Sequence, residues 1–194
     1  MANLTQSQAT TILRALGWRV RSTAEYTQTV KNFQAGWNLG TALKVDGSCG
    51  PATSAALLKS DKARREGRPT ASAHFSFTEV RCRCGGKYSS CQRIWTKRKT
   101  FSMMEKYRDK SNRSFTVVSG CRCKSHNAAV GGSKTSRHVT GLASDTEPKF
   151  SVATVKSWKV ATHIGYGSVS KKVVHIDMGS GGSLTNPIVY PDGK

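Results

Sequence analysis

The sequence predicts an α+β fold, an antiparallel sheet flanked by helices and preceded by a small three-helix bundle, and three observations carry that expectation. Apolar residues recur at helical spacing in three stretches near the amino terminus. Strand-like alternation appears only later, clearest at Val173 to Met178. Between the two regimes runs a basic stretch without apolar periodicity.

The helices come first in the chain. Ser7 to Leu16, Ala24 to Trp37 and Pro51 to Lys59 fit helical spacing, the last opening on a proline where its missing N–H is no loss. Val30, Phe33, Ala56 and Leu57 should form the core of that bundle, while Asp46, Gly47 and Gly50 permit a tight turn before its last helix. Lys59 to Ser72 carries five basic and two acidic residues and no apolar repeat, the pattern of a solvated linker. The expected organisation is a helical domain over 1–60, a linker over 61–73 and a second domain over 74–194. In that second domain, Cys91 to Lys110 is a basic helix with Ile94, Phe101, Met104 and Tyr107 on one face. Ser114 to Val118 is a strand, Val152 to Thr162 a further helix, and Val173 to Met178 the last clear strand. There is no internal repeat.

Charge narrows the partners. Lys and Arg number 31 against 11 Asp and Glu, a net charge of +20 and more than solubility requires, so a polyanion is the expected partner. The basic residues are spread along the chain instead of gathering in one arm, helix or aromatic stripe, which does not favour a specific nucleic-acid reader. A bacterial wall with anionic polymers fits the charge as well. No apolar run approaches membrane-spanning length. The first residues, Met1 to Gln8, lack a charged region followed by an apolar one, so the expectation is synthesis in the cytoplasm without a signal peptide. Five of six cysteines cluster as Cys82, Cys84, Cys91 and Cys121, Cys123, with Cys49 apart. Disulfides between the clusters, a structural zinc site and reduced thiols are all open.

The chemistry concentrates in two short segments. Ser136-Arg137-His138-Val139-Thr140-Gly141-Leu142-Ala143-Ser144-Asp145 is followed thirty residues later by Val174-His175-Ile176-Asp177. Two imidazoles and a carboxylate supply the three borderline ligands that zinc takes where a fourth position stays open for water. His138 and Asp145 are seven apart with Gly141 between, which suits a loop returning into a strand better than one helical face. Strand alternation sends Val174, Ile176 and Met178 to one face and His175 and Asp177 to the other, so the apolar trio should anchor the strand while the polar pair faces a site.

The pattern Ser-x-His-x-x-Gly-x-Ala-x-Asp followed by His-x-Asp resembles the zinc D-alanyl-D-alanine peptidases, whose superfamily includes phage L-alanyl-D-glutamate endopeptidases. Ser119-Gly120-Cys121-Arg122 with His126-Asn127 and Gly131-Gly132, and then Ile164-Gly165-Tyr166, extend the resemblance over roughly residues 74 to 180. Val30 to Gln34 with Leu43 to Leu57 resembles the three-helix peptidoglycan-binding module found at the ends of bacterial wall hydrolases.

The resemblance implies that His138, Asp145 and His175 hold Zn2+, which activates a water and polarises the scissile carbonyl. Several branches of the superfamily place the proton-accepting acid three residues before the last ligand, where this chain has Lys172. Asp177 is the expected replacement, either as general base or as a partner orienting His175, with His163 and Glu147 as further candidates. Arg122 suits a substrate carboxylate or developing oxyanion, or a structural role, and Ser136 either binds substrate or buttresses His138. The implied function is a monomeric phage endolysin that hydrolyses a D-alanyl cross-link or an L-alanyl-D-glutamate bond in peptidoglycan. A catalytically silent wall-binding protein that retains zinc is the alternative.

Overall fold

The computed structural model describes residues 3–179, 184 and 187–190. Three helices open the chain: α1 (Gln6–Ala15), α2 (Thr23–Gly36) and α3 (Pro51–Arg65). Each starts where local chemistry permits. The Thr5 hydroxyl accepts from the Gln8 amide while the Gln8 side chain returns to the Thr5 amide, a reciprocal cap; Ser22 caps α2, and Pro51 follows Gly50 into α3. The turn before α3 is organised from α2. The Gln34 amide donates to Asp46 Oδ1 at 2.9 Å and Thr53 Oγ1 at 3.1 Å, and its carbonyl oxygen accepts from the Gly47 amide at 2.9 Å.

The stretch expected as a solvated linker is half helix. α3 runs on to Arg65, and Ser60, Ala63, Thr70, Ala71 and Ser72 are buried. Its buried stripe of Thr53, Ala56, Ser60 and Ala63 is built from small residues, which an inspection for large apolar side chains passes over. Ser60 ties the stretch down, accepting from Trp37 Nε1 at 3.2 Å and donating to the Thr70 carbonyl at 2.8 Å. The expected core residues Val30, Phe33, Ala56 and Leu57 are all buried, but in a core continuous with that of the following residues. Phe77 is the joint. Its ring lies 4.5 Å from Trp18, 5.6 Å from Phe33 of α2 and 5.7 Å from Phe101.

Residues 66–97 contain no helix or strand. The helix expected from Cys91 begins instead at Arg98, as α4 (Arg98–Ser111), and buries Phe101, Met104 and Tyr107 as its periodicity required. Cys91 and Ile94 are buried ahead of it, and Arg93 between them takes a φ of 74°, which no helix tolerates.

The remaining elements are β1 (Val117–Ser119), α5 (Lys124–Ala129), β2 (Ala143–Thr146), α6 (Val152–Trp158), β3 (His163–Gly167), β4 (Val173–Asp177) and β5 (Ile188–Tyr190). They form one sheet in the order β1-β2-β4-β3-β5. The sheet is mixed, not antiparallel as expected: the first three pairings are antiparallel, but β5 pairs parallel with β3. β5 runs opposite to β4 yet docks on the free edge of β3, itself antiparallel to β4, so the pairing must be parallel. α6 is shorter than expected because Lys159 adopts a left-handed conformation that ends it.

Alternation along β4 also departs from expectation. Gly165 pairs with His175 and Tyr166 with Val173, which leaves Val174 as an extra residue. The bulge turns Val173 into the core beside Ile176, while Val174 and Met178 are half-buried. Beyond the bulge, His175 and Asp177 keep a common face. Among the described residues no helix is long and apolar enough to cross a membrane.

Candidate metal centre

His138 arrives on a loop clamped by the segment ahead of α4 and by the first turn of α4 itself. Trp95 Nε1 donates to the Val139 carbonyl at 2.8 Å, and the Lys97 amide and Thr100 hydroxyl both donate to the Gly141 carbonyl at 2.9 Å. The approach explains the glycine in the motif. Gly141 has a φ of +74°, and a Cβ there would lie 2.3 Å from the Trp95 carbonyl oxygen. The loop then enters β2, where Asp145 lies directly across from His175 of β4, so both side chains share one face of the sheet.

The three donors converge. His138 Nε2 lies 3.0 Å from Asp145 Oδ1 and 3.1 Å from His175 Nδ1, and His175 Nδ1 lies 2.8 Å from the same Asp145 oxygen. Tetrahedral ligands about 2.0–2.1 Å from zinc stand about 3.3 Å apart, so the triangle needs only slight expansion to hold the ion. The outward nitrogens are fixed as metal ligands require. His138 Nδ1 donates to the Gly120 carbonyl at 2.5 Å, and His175 Nε2 donates to Asp177 Oδ2 at 3.2 Å. Each bond selects the tautomer whose other nitrogen faces the centre. The residues therefore fit zinc both in donor chemistry and in orientation.

Electrostatics follow the contacts. Burial pushes the His138 imidazole below its usual pKa, against the pull of Asp145, so it rests neutral. Burial acts on His175 in the same sense, but hydrogen bonds to Asp145 and Asp177 outweigh it and raise the pKa to about 9. Burial opposes ionisation of Asp145, yet the hydrogen bonds from both imidazoles hold its carboxyl well below the usual carboxylate range. Asp177 is lowered too: burial opposes this, and the bonds from His175 and the Gly179 amide prevail.

The other expected residues are placed as follows. Arg122 turns its guanidinium onto the second oxygen of Asp145, with Nε donating to Ser119 Oγ at 2.9 Å, so it supports a candidate ligand instead of standing open to substrate. Ser136 is half-buried in the turn before His138. The polar contacts of the His138 ring are with Gly120, Asp145 and His175, and none is with Ser136. Asp177 Oδ1 accepts from His163 Nδ1 at 3.0 Å and from the Gly179 amide at 2.8 Å, making a His175–Asp177–His163 chain. Glu147 lies outside that chain, accepting from Lys149 at 2.8 Å and the Thr116 amide at 2.8 Å. Lys172 is exposed.

Two contributors were not foreseen. The Gly120 carbonyl is a backbone group, and no side-chain pattern announces it. Tyr190 on β5 packs its ring 5.8 Å from that of His175, above Gly165, where a Cβ would fall 2.2 Å from the tyrosine ring. Burial first, then the negative charges of Asp145 and Asp177, raise its pKa, so its hydroxyl remains a proton donor. The β-prone run Ile188-Val189-Tyr190 was the available clue.

Compared with known proteins, residues 73–177 match a family model described as Peptidase M15. The match takes in every residue of the donor triangle and ends on Asp177. No curated protein matches the chain.

Proposed function

From the premise that the chain belongs to the Peptidase M15 family, and is thus a metallopeptidase of a kind that acts on peptidoglycan, we propose that it is an endolysin-type enzyme that cuts an amide bond of the wall peptide. The bond is a D-alanyl cross-link or an L-alanyl-D-glutamate linkage. The observation that carries the proposal is the convergence of His138 Nε2, Asp145 Oδ1 and His175 Nδ1 within 2.8–3.1 Å, with the outward nitrogen of each imidazole already tied down.

His138, Asp145 and His175 are the proposed zinc ligands. Bound zinc would supply a water of pKa about 7 and a Lewis acid for the scissile carbonyl. Arg122 holds the Asp145 carboxylate in place through its second oxygen, and Asp177 fixes the His175 ring. For proton transfer we assign the hydrogen-bonded pair of Asp177 and His163 in place of Asp177 alone, because both Asp177 oxygens are engaged. Asp177 orients the His163 imidazole as a carboxylate orients the histidine of a catalytic triad, leaving its other nitrogen to take the proton from water and return it to the leaving amine. The Tyr190 hydroxyl, kept protonated, is suited to donate to the developing oxyanion.

The sequence resemblance of Val30 to Gln34 and Leu43 to Leu57 to a peptidoglycan-binding module assigns wall binding to the amino-terminal helices in this proposal, and the net charge of +20 supports attachment to anionic wall polymers, an attraction that salt should weaken. The experiment is loss of turbidity of purified cell walls. Clearing should occur with the zinc-loaded protein, stop with a chelator and resume when zinc is restored. Walls that are bound but not cleared at any zinc level would support the catalytically silent alternative.

A further inference from the structure

A second cluster of metal-ligating side chains lies outside the donor triangle, and we propose that Cys82, Cys84, Cys91 and Cys123 bind a structural zinc ion. Their four sulfurs all lie within 4.8 Å of one another. A tetrahedral tetrathiolate site with bonds of about 2.3 Å places its sulfurs about 3.8 Å apart, so the cluster needs to contract by at most about 1 Å. No two of these cysteines are joined. Four sulfurs gathered about one point suit a single ion better than two disulfides, which need two separate close pairs.

Backbone amides point at two of these four sulfurs, whereas the fifth clustered cysteine is held as a thiol. The Cys123 amide donates to Cys82 Sγ at 3.3 Å, and the His126 amide donates to Cys123 Sγ at 3.4 Å. Cys121, two residues from Cys123, instead donates from its own sulfur to the carbonyls of Val80 at 3.2 Å and Arg93 at 3.3 Å, which requires its proton. The chain bends as a metal-binding turn must. Gly85 and Gly86, directly after Cys84, take φ values of 65° and 93°, and the Lys87 amide returns to the Cys84 carbonyl at 3.0 Å. A zinc tetrathiolate carries a net charge of about −2, and Arg81, Arg83, Lys87, Arg93, Arg122 and Lys124 lie within three residues of these cysteines with the opposite sign.

The fold also has a use for such an ion. Cys82, Cys91, Cys121 and Cys123 form a cluster separate from the main apolar core, with half-buried Cys84, Tyr88 and Trp95 packed against it, and three of the four proposed ligands lie in residues 66–97, which have no helix or strand. Segments of that kind need a staple, and a structural zinc contributes its binding free energy directly to folding. Its position links it to the first centre. Gly120, which accepts from His138, and Arg122, which holds Asp145, both lie on the short segment that Cys123 ends. The cysteine site would brace that segment from behind.

The inference does not depend on the first centre holding metal, and its test separates the two. The full chain is prepared reduced and zinc-loaded, as wild type and as a His138→Ala, His175→Ala double variant in which all cysteines remain. Elemental analysis should find two zinc ions per chain in the wild type and one in the double variant. Cobalt exchanged into the double variant should show thiolate-to-metal charge-transfer bands, and a further Cys84→Ser change should abolish or weaken those bands while circular dichroism retains the helices. A double variant that holds no metal, or whose cysteines prove to be disulfides by intact mass, would overturn the assignment.

Discussion

His138 and His175 meet the centre through different nitrogens, Nε2 and Nδ1, and each choice follows from what holds the other side of the ring. The unequal environments have a consequence for pH. His175 has a pKa raised from 6.5 to about 9, so without metal it carries a proton at neutral pH, and its contacts with Asp145 and Asp177 stabilise the metal-free fold. That contribution is fully present below pH 6.5 and fades as pH rises through about 9. Zinc must displace the same proton, so affinity at this centre should rise between pH 6.5 and 9 by up to about tenfold per pH unit. Competition against a chelator measures it, and a flat profile would argue against His175 as a ligand. The roles of Asp177 and His163 are tested by substitution. Asp177→Asn and His163→Gln should each keep zinc and lower turnover on the order of 10²–10⁴-fold, with the double variant little worse than either. Loss of zinc from Asp177→Asn would confine that residue to supporting His175. The candidate ligands were legible because their spacing is distinctive. The partners of Arg122 and Asp177 were not, since only strand pairing and rotamers reveal which atoms an arginine fork or a carboxylate meets.

Among the elements, those with strong apolar periodicity appeared where the sequence put them: α1 and α2 start and end within about a residue of expectation. Misjudged stretches share a physical cause, in that contacts from elsewhere overrode local pattern. α3 extends past Lys59 on a stripe of small residues, and Cys91 to Lys97 is drawn out of helix beside the cysteine cluster. The strand β5 is short, and its parallel pairing depends on β3, far from it in sequence. The bulge at Val174 is of the same kind. His175 and Asp177 nevertheless face the centre as expected, because the extra residue lies before them. The loop that carries His138 offers a direct test of local design. Gly141→Ala must place a side chain at positive φ and against the Trp95 carbonyl, so it should destabilise the fold by about 1–3 kcal/mol and weaken zinc binding. Denaturant midpoints measure the first effect, and an unchanged midpoint would mean that the clamp from Trp95 and Thr100 yields readily.

For the molecule as a whole, the helical amino-terminal segment and the sheet share one core through Trp18, Phe33, Phe77 and Phe101, where composition had suggested two units and a linker. The chain carries a net charge of +20, while the acidic groups of its centre, half-buried Asp145 and buried Asp177, are each paired with imidazoles. The central claim is that the triangle of His138, Asp145 and His175 holds the zinc that cleaves the wall peptide. Mass spectrometry of fragments released from purified peptidoglycan tests it most directly. Zinc-loaded wild type should release muropeptides with a new amino terminus at a D-alanyl cross-link or at the D-glutamate, and His138→Ala, folded but lacking that zinc, should release none. Equal release by both proteins would contradict the account.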